Sequence, residues 1–318
     1  MRRRPAVPGG GDELAAVERL TGRLGTGRAG EVWLGDDAAV LSGEGGPLLL
    51  ATDLVVEGIH FDRRLSSLAD VGWKVLTANV SDAAAMGGRA RRAVVAVAGA
   101  FGDELEALYD GLCAASEAYD CPVVGGDLSD AGPGGGLVVA VTVLGTTDGR
   151  PAVRRSGGRP GDRVYVTGPL GAAAAGLRRL QAGEADVPAH LVAAHRRPVA
   201  RAAEGVAAAT AGARAMLDVS DGLGIDLDRL CRASGVGAEL DQVPVAEGAT
   251  QAEALGGGED FELLVAVPAE VDLAARFAAS GLRPPLELGV LVAGRGRRLL
   301  RGEPLAADGY RHGRRPSG

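Results

Sequence analysis

An Arg-, Gly- and Pro-rich stretch, RPAVRRSGGRPGD at residues 150–162, divides the chain into two runs of similar organisation. Such a stretch interrupts helix and strand alike and suits a linker or an exposed binding loop. Ahead of it, apolar and β-branched runs predict strands over 47–56, 93–100 and 137–145. Helical spacing predicts helices over 68–86 and 103–119. Behind it the pattern restarts: a strand over 163–167, the turn GPLG, and a helix over 172–181. Further helices are expected near 198–211 and 223–233, with strands at 238–240 and 262–267. The boundary is placed near residue 150, giving domains 1–150 and 151–318, both α/β, within the 318 residues.

Composition narrows the function classes. Apolar residues at 46% and charged residues at 24% are an ordinary globular balance. A formal charge of -7 leaves no broad basic face for nucleic acid. The arginines at both ends (Arg2 to Arg4; Arg311, Arg314, Arg315) read as solvated tails. The opening MRRRPAVPGGGDEL has no apolar run behind its basic residues, so it is not read as a secretory signal. No uncharged apolar run is long enough to span a membrane. Cys113, Cys121 and Cys231 form no close pair, which points to a reduced cytoplasmic enzyme with the thiols as small core residues.

The chemistry is carried by acids. GDD at 35–37, TD at 52–53, SD at 81–82, GGD at 125–127, DVSDG at 218–222 and GGGED at 256–260 mostly place a carboxylate after an apolar run, with Gly, Ser or Thr beside it. A strand end aims such a group, and glycine lets a ligand approach the backbone. The alternative for any single motif is a turn or helix cap, a role open to Ser81, Asp82, Asp218 or Asp221. NVSD at 79–82 and DVSD at 218–221 echo one another across the two halves, as chance or as two half-sites facing a cleft. Hard oxygen donors without Cys or His clusters favour Mg²⁺, which bridges carboxylates to phosphates. GxxxxGK[ST] and the protein-kinase motifs are absent, and Lys74, the lone lysine, falls in an expected helix. Charge on a nucleotide would then be balanced by metal, backbone amides and Arg154 or Arg155. The turn TGPLG at 167–171 could receive an anion at a helix N-terminus. His60, seven residues after Asp53, is a substrate contact only if the acids form a site.

Taken in order, GDDAAVL, TDLVVEGIHF, NVSDAAAMGG, CPVVGGD, VRRSGGRPGDRVYVTGPLG, DVSDGLGIDL, GGGEDFELL and DGYRHG resemble the thiamine-monophosphate kinase family from about Gly35 to Tyr310. The resemblance implies a two-domain synthetase-like α/β (α+β) fold. In it an N-terminal mixed sheet with helices pairs in a homodimer near the nucleotide, and a C-terminal α/β domain completes the site. It implies Mg²⁺-assisted transfer of the γ-phosphoryl group from ATP to thiamine monophosphate, with several Mg²⁺ ions. Asp36, Asp37, Thr52, Asp53, Asp82, Asp127, Asp218 and Asp221 would hold the metals. Tyr109, Gly126, Asp127, Arg155 and Ser220 would meet ATP, and His60, Glu259 or Asp260, and Tyr310 would meet thiamine monophosphate. No general base is expected, because the acceptor is already a phosphate oxygen.

Three departures stand out: Ala51 where serine is frequent, Phe261 where tyrosine is frequent, and RHG after Tyr310. Within the wider superfamily, selenophosphate synthetase should carry a reactive Cys or selenocysteine near its N-terminus. The hydrogenase-maturation protein should end in a cysteine, and aminoimidazole ribonucleotide synthetase should carry a DGVGTK-like segment. None of these features is seen. Another ATP-using member, or a non-catalytic nucleotide- and metal-binding module, remains the alternative reading.

Overall fold

In the computed structural model, which describes residues 30–32, 36–43 and 46–311, two mixed sheets share one helix between them. That helix, α1 (Leu68–Ala85), starts on a capping box: Ser67 Oγ accepts from the Asp70 amide, and the Asp70 carboxylate accepts from the Ser67 amide. It is buried on nearly every side, as its apolar and small residues require.

The N-terminal sheet runs β1 (Ala39–Leu41), β2 (Leu48–Val56), β3 (Arg89–Ala98), β4 (Val123–Ser129) and β5 (Val138–Thr146), in the order β1-β2-β5-β3-β4. Its pairs are antiparallel except β3 with β4. The two-residue period of a strand puts Leu49, Ala51 and Val55, Val95 and Val97, and Val139, Val141 and Val143 on one face, packed in one core with α1 and α2 (Asp103–Tyr119). Leu50, Leu54, Val94 and Leu144 alternate with them and are exposed.

The second sheet comprises β6 (Arg163–Val166), β7 (Ala215–Val219), β8 (Gly237–Leu240), β9 (Glu262–Val267), β10 (Leu286–Val292), β11 (Arg298–Leu300) and β12 (Glu303–Pro304). Its order is β12-β11-β8-β10-β6-β9-β7. The helices of this half are α3 (Ala172–Gln181), α4 (Ala189–Arg196), α5 (Ala202–Ala211), α6 (Leu223–Ser234), α7 (Gln251–Gly256) and α8 (Leu273–Ala279). One face of the sheet packs on α6 and α7; the other packs on α5, α8 and the C-terminal end of α1, through Ala84 and Ala85.

Helices over 103–119 and 172–181 and the strand over 262–267 fall where residue patterning places them. The helix expected over 198–211 begins at Ala202, after Pro198. Both sheets are largely antiparallel, so the placing of ligands beyond parallel strand ends, general for open parallel sheets, does not apply. The three cysteines are free, and Cys113 is exposed on α2 rather than a core residue. The arginines at 2–4 and 314–315, Gly35, His312 and Gly313 lie outside the described residues.

A close approach joins the halves. A Cβ on Gly205 of α5 would stand 2.2 Å from the Ala84 carbonyl oxygen of α1. Gly205→Ala is therefore expected to destabilise the fold by about 1–3 kcal/mol, since the clash is with backbone. Chemical denaturation would show this as a lowered midpoint; an unchanged midpoint would contradict the packing.

Candidate functional site

Strand alternation aims the first two acids at α1. On β7, Met216 packs in the core shared with α1 while Leu217 and Val219 face the opposite core, so Asp218 points toward α1. There it is buried, and Ser81 Oγ donates to its Oδ2 at 2.5 Å. On β2, Asp53 takes a core-facing position between Ala51 and Val55. Its amide donates to Asn79 Oδ1 at 3.2 Å, and Asn79 Nδ2 donates to the Val75 carbonyl at 2.9 Å. Thus Asn79 and Ser81 tie one strand from each sheet to the same turn of α1, and Asp82 follows on that turn. The echo between NVSD and DVSD is a physical contact.

Asp37, just before β1, joins them: one oxygen each of Asp37, Asp82 and Asp218 lies within 4.8 Å of the others. Arg155 Nη2 donates to Asp37 Oδ1 at 2.8 Å, and the Arg155 amide donates to Asp36 Oδ1 at 3.0 Å. Asp37 Oδ2 is buried with no hydrogen-bond partner among the described residues. Asp221 accepts from Arg229 of α6 at 2.6 Å. The same guanidinium holds Asp226, which accepts the Asp221 and Gly222 amides at the start of α6.

Burial and mutual repulsion dominate this end. Burial, then the charges of Asp53 and Asp218, pushes the Asp82 carboxyl well above its usual range; burial and Asp37 do the same to Asp218. Asp53 and Asp37 are raised mainly by burial, and Asp36 is raised by burial and Asp37 to about 6.

The loop before β9 separates two neighbouring acids. Glu259 and Phe261 adopt left-handed backbone, φ 65° and 50°, unusual for residues with side chains. Their amides donate to the carbonyls of Ser220 and Val219. Glu259 consequently faces Lys74, whose Nζ donates to its Oε2 at 2.6 Å. Asp260 turns away to the start of α3, accepting from the Gly171 amide at 2.6 Å and the Ala173 amide at 3.3 Å. The helix N-terminus after TGPLG is therefore filled from within the chain, by Asp260. Burial raises that carboxyl to about 7 against the pull of those amides.

A cleft of about 520 Å³ runs between the two groups of residues, lined among others by Asp53, His60, Lys74, Asp82, His195, Asp218, Ser220, Asp221, Glu259, Phe261 and Tyr310. His60 Nδ1 accepts from the Val56 amide at 3.0 Å, which leaves Nε2 as the protonated nitrogen of a neutral ring. The Tyr310 amide donates to the Asp221 carbonyl at 2.9 Å.

Several expected residues lie elsewhere. Thr52 faces the opposite side of β2 from Asp53, donating to the Val141 carbonyl and accepting from Thr142. Asp127 shares a row with Ala96, Ala140 and Leu54, three strands from β2, or about 14 Å. Gly126 precedes it on the exposed edge strand β4, and Tyr109 sits on α2 against the N-terminal core. Arg154 is exposed, unlike Arg155. Ala51 buries its methyl group in the N-terminal core. Asp82 is inside a helix, not at a cap, and Asp53 lies within its strand. Residues that patterning did not assign include Asn79, Ser81, Lys74, His195, Arg229 and Asp226. For Lys74 the signal was present: it lies eight residues before Asp82, on the same face of α1.

The sequence matches AIR synthase related protein, N-terminal domain, over residues 35–147 and its C-terminal domain over 159–300. It is 37% identical over 274 residues to thiamine-monophosphate kinase of Salmonella typhimurium, covering 80% of this chain and 82% of that protein. The solved structure of AaThiL complexed with AMPPCP and TMP superposes with a TM-score of 0.83 at 30% identity, covering 95% of this chain and 97% of that one. The E. coli hydrogenase maturation protein HypE shares the fold, at TM-score 0.68 and 18% identity over 86% of this chain and 89% of that one. With its acids drawn from both halves onto one cleft and this degree of identity along most of its length, the chain belongs to the thiamine-monophosphate kinase family.

Proposed function

We propose that this chain transfers the γ-phosphoryl group of ATP to the phosphate of thiamine monophosphate, giving ADP and thiamine diphosphate, a step in thiamine diphosphate biosynthesis. The carrying observation is the convergence of Asp37, Asp82 and Asp218, from separate parts of the chain, at one end of a cleft of about 520 Å³. The acceptor oxygen forms the new P–O bond, the bond between the γ-phosphorus and the β,γ-bridging oxygen breaks, and that electron pair leaves with ADP. Since the acceptor is an anionic phosphate oxygen, in-line positioning takes the place of a general base.

Divalent magnesium suits the donor set: hard carboxylate oxygens, mutually repelled, with one buried oxygen of Asp37 unpartnered. Asp36, Asp37, Asp53, Asp82, Asp218 and Asp221 would hold Mg²⁺, which when bound neutralises phosphate charge. Ser81 and Asn79 orient the acids, Arg155 and Arg229 offset their charge before ligand arrives, and Ser220 and Arg155 meet the nucleotide. His60, Glu259 and Tyr310 meet the acceptor, and Asp260 braces their loop. Residues 1–150 supply most metal ligands and residues 151–318 complete the site.

The exposed apolar face of the N-terminal sheet supports a homodimer joined through it; Thr52 and Asp127 would join the metal set there, and Tyr109 and Gly126 the nucleotide set. We place the enzyme in the cytoplasm, where ATP is made; no helix among the described residues is long and apolar enough to cross a membrane.

Incubation with ATP, Mg²⁺ and thiamine monophosphate should yield thiamine diphosphate and ADP by chromatography. Asp82→Asn and Asp218→Asn should each lower turnover by roughly a hundredfold or more with the fold intact by circular dichroism; near-normal turnover in both would remove these residues from the site. The raised carboxyls also set a pH dependence. Asp36 keeps its proton in the folded state up to about 6, against 3.8 for a free side chain, so its contribution to stability falls as pH rises through that window. A bound cation reverses this, so the rise in melting temperature caused by MgCl₂ should be larger at pH 8 than at pH 5. An equal rise at both would show that protons and cation do not compete. Sedimentation should give a dimer, and Val94→Glu with Leu144→Glu a monomer; a monomeric parent protein would end the dimer reading.

A further inference from the structure

Lys74 is the only lysine among 34 lysines and arginines, and its nearly buried side chain lines the cleft. Its ammonium takes Oε2 of Glu259 at 2.6 Å, while Oε1 accepts no hydrogen bond among the described residues. Three residues on, the chain shows the alternative: Arg201 grips Glu262 by both oxygens, at 3.0 and 2.6 Å. A guanidinium fork can bond both oxygens of a carboxylate, whereas an ammonium is a point charge and here bonds a single one. The chain's one lysine thus pairs with an acid that lines the cleft. Glu259 is held there by left-handed backbone, a strained arrangement typical of ligand contacts. Beside it His195 is buried, with Nδ1 lacking a hydrogen-bond partner at 3.9 Å from Glu259 Oε2. Burial and the Lys74 charge lower its pKa to about 4, so the ring is neutral near pH 7.

Position decides what this end of the cleft can meet. Lys74, Ala78 and Asp82 all line it at four-residue steps along α1, so Lys74 stands about 12 Å along the helix from Asp82. Phosphoryl transfer takes place at the acid end, and the ring of the acceptor must then point toward Lys74. We propose that Lys74 is a positioning residue: by holding one oxygen of Glu259 it presents the other to the exocyclic amino group of the acceptor's aminopyrimidine. This rests on the thiamine monophosphate reading.

The test is calorimetric titration of the protein loaded with Mg²⁺ and a non-hydrolysable ATP analogue. The ligands are thiamine monophosphate and hydroxyethylthiazole phosphate, which lacks the pyrimidine. Lys74→Met and Glu259→Gln should weaken thiamine monophosphate about tenfold or more and leave the affinity for the thiazole phosphate as it was. Lys74→Arg, which keeps the charge but lets a fork compete for both oxygens, should weaken thiamine monophosphate as well. In turnover assays the change should fall on KM for the acceptor rather than on kcat. Equal weakening of both ligands would make Lys74 a structural residue, and wild-type affinity in Lys74→Arg would end the argument from the open oxygen. If the unaltered protein bound the nucleotide analogue but not thiamine monophosphate, the kinase reading would fall, and this inference with it.

Discussion

Helix α1 belongs to two cores at once, and the site depends on that. Val75, Leu76 and Val80 pack under the N-terminal sheet, while Ala84 and Ala85 reach into the core of the second sheet. A third line of residues, Lys74, Ala78 and Asp82, is left to face the cleft. A helix with only one apolar stripe could not do this. The small residues at its C-terminal end let α5 approach to backbone contact at Gly205. Polar residues on α1 then act as fasteners: Asn79 holds the backbone of β2, and Ser81 holds the carboxylate on β7.

What α1 brings together is electrostatically unfavourable by itself. Buried carboxylates within 4.8 Å repel one another, and each loses hydration. The chain offsets part of this with two guanidiniums: Arg155 on Asp36 and Asp37, and Arg229 on Asp221 and Asp226. The unpartnered Asp37 Oδ2 shows that the compensation is incomplete. Packing of two apolar cores supplies the free energy that keeps the acids in place.

Residue patterning read much of this correctly and failed in identifiable ways. The helix over 103–119 was visible because its apolar period is regular and its N-terminal turn is acidic. β7, AMLDV, was missed: at five residues it is short, and although it ends the sheet, a core covers each of its faces, which buries every residue and erases the alternation. The acids were found as motifs, but their settings were misread, because a carboxylate inside helix α1, Asp82, is explained only by its neighbour Asp218 on a strand far along the chain. The exposed placements of Thr52 and Asp127 follow from strand register, which motif spacing does not encode.

The pair Glu259–Asp260 shows how far local backbone decides chemistry. Two adjacent acids would ordinarily repel and read as one motif. Left-handed residues on either side of Asp260 turn the chain so that one acid enters the cleft and the other reaches the first turn of α3. There Asp260 satisfies backbone amides that no side chain at the helix start supplies, since Gly171 is the N-cap residue and makes no side-chain cap hydrogen bond. The strain at Glu259 and Phe261 is thus held by contacts at both ends of the loop, to α3 on one side and to the Val219 and Ser220 carbonyls on the other. Those carbonyls follow directly from Asp218, so the loop that carries Glu259 is anchored on the strand that carries the buried acid. The two ends of the cleft are therefore positioned by the same few residues, and displacement of β7 would move both.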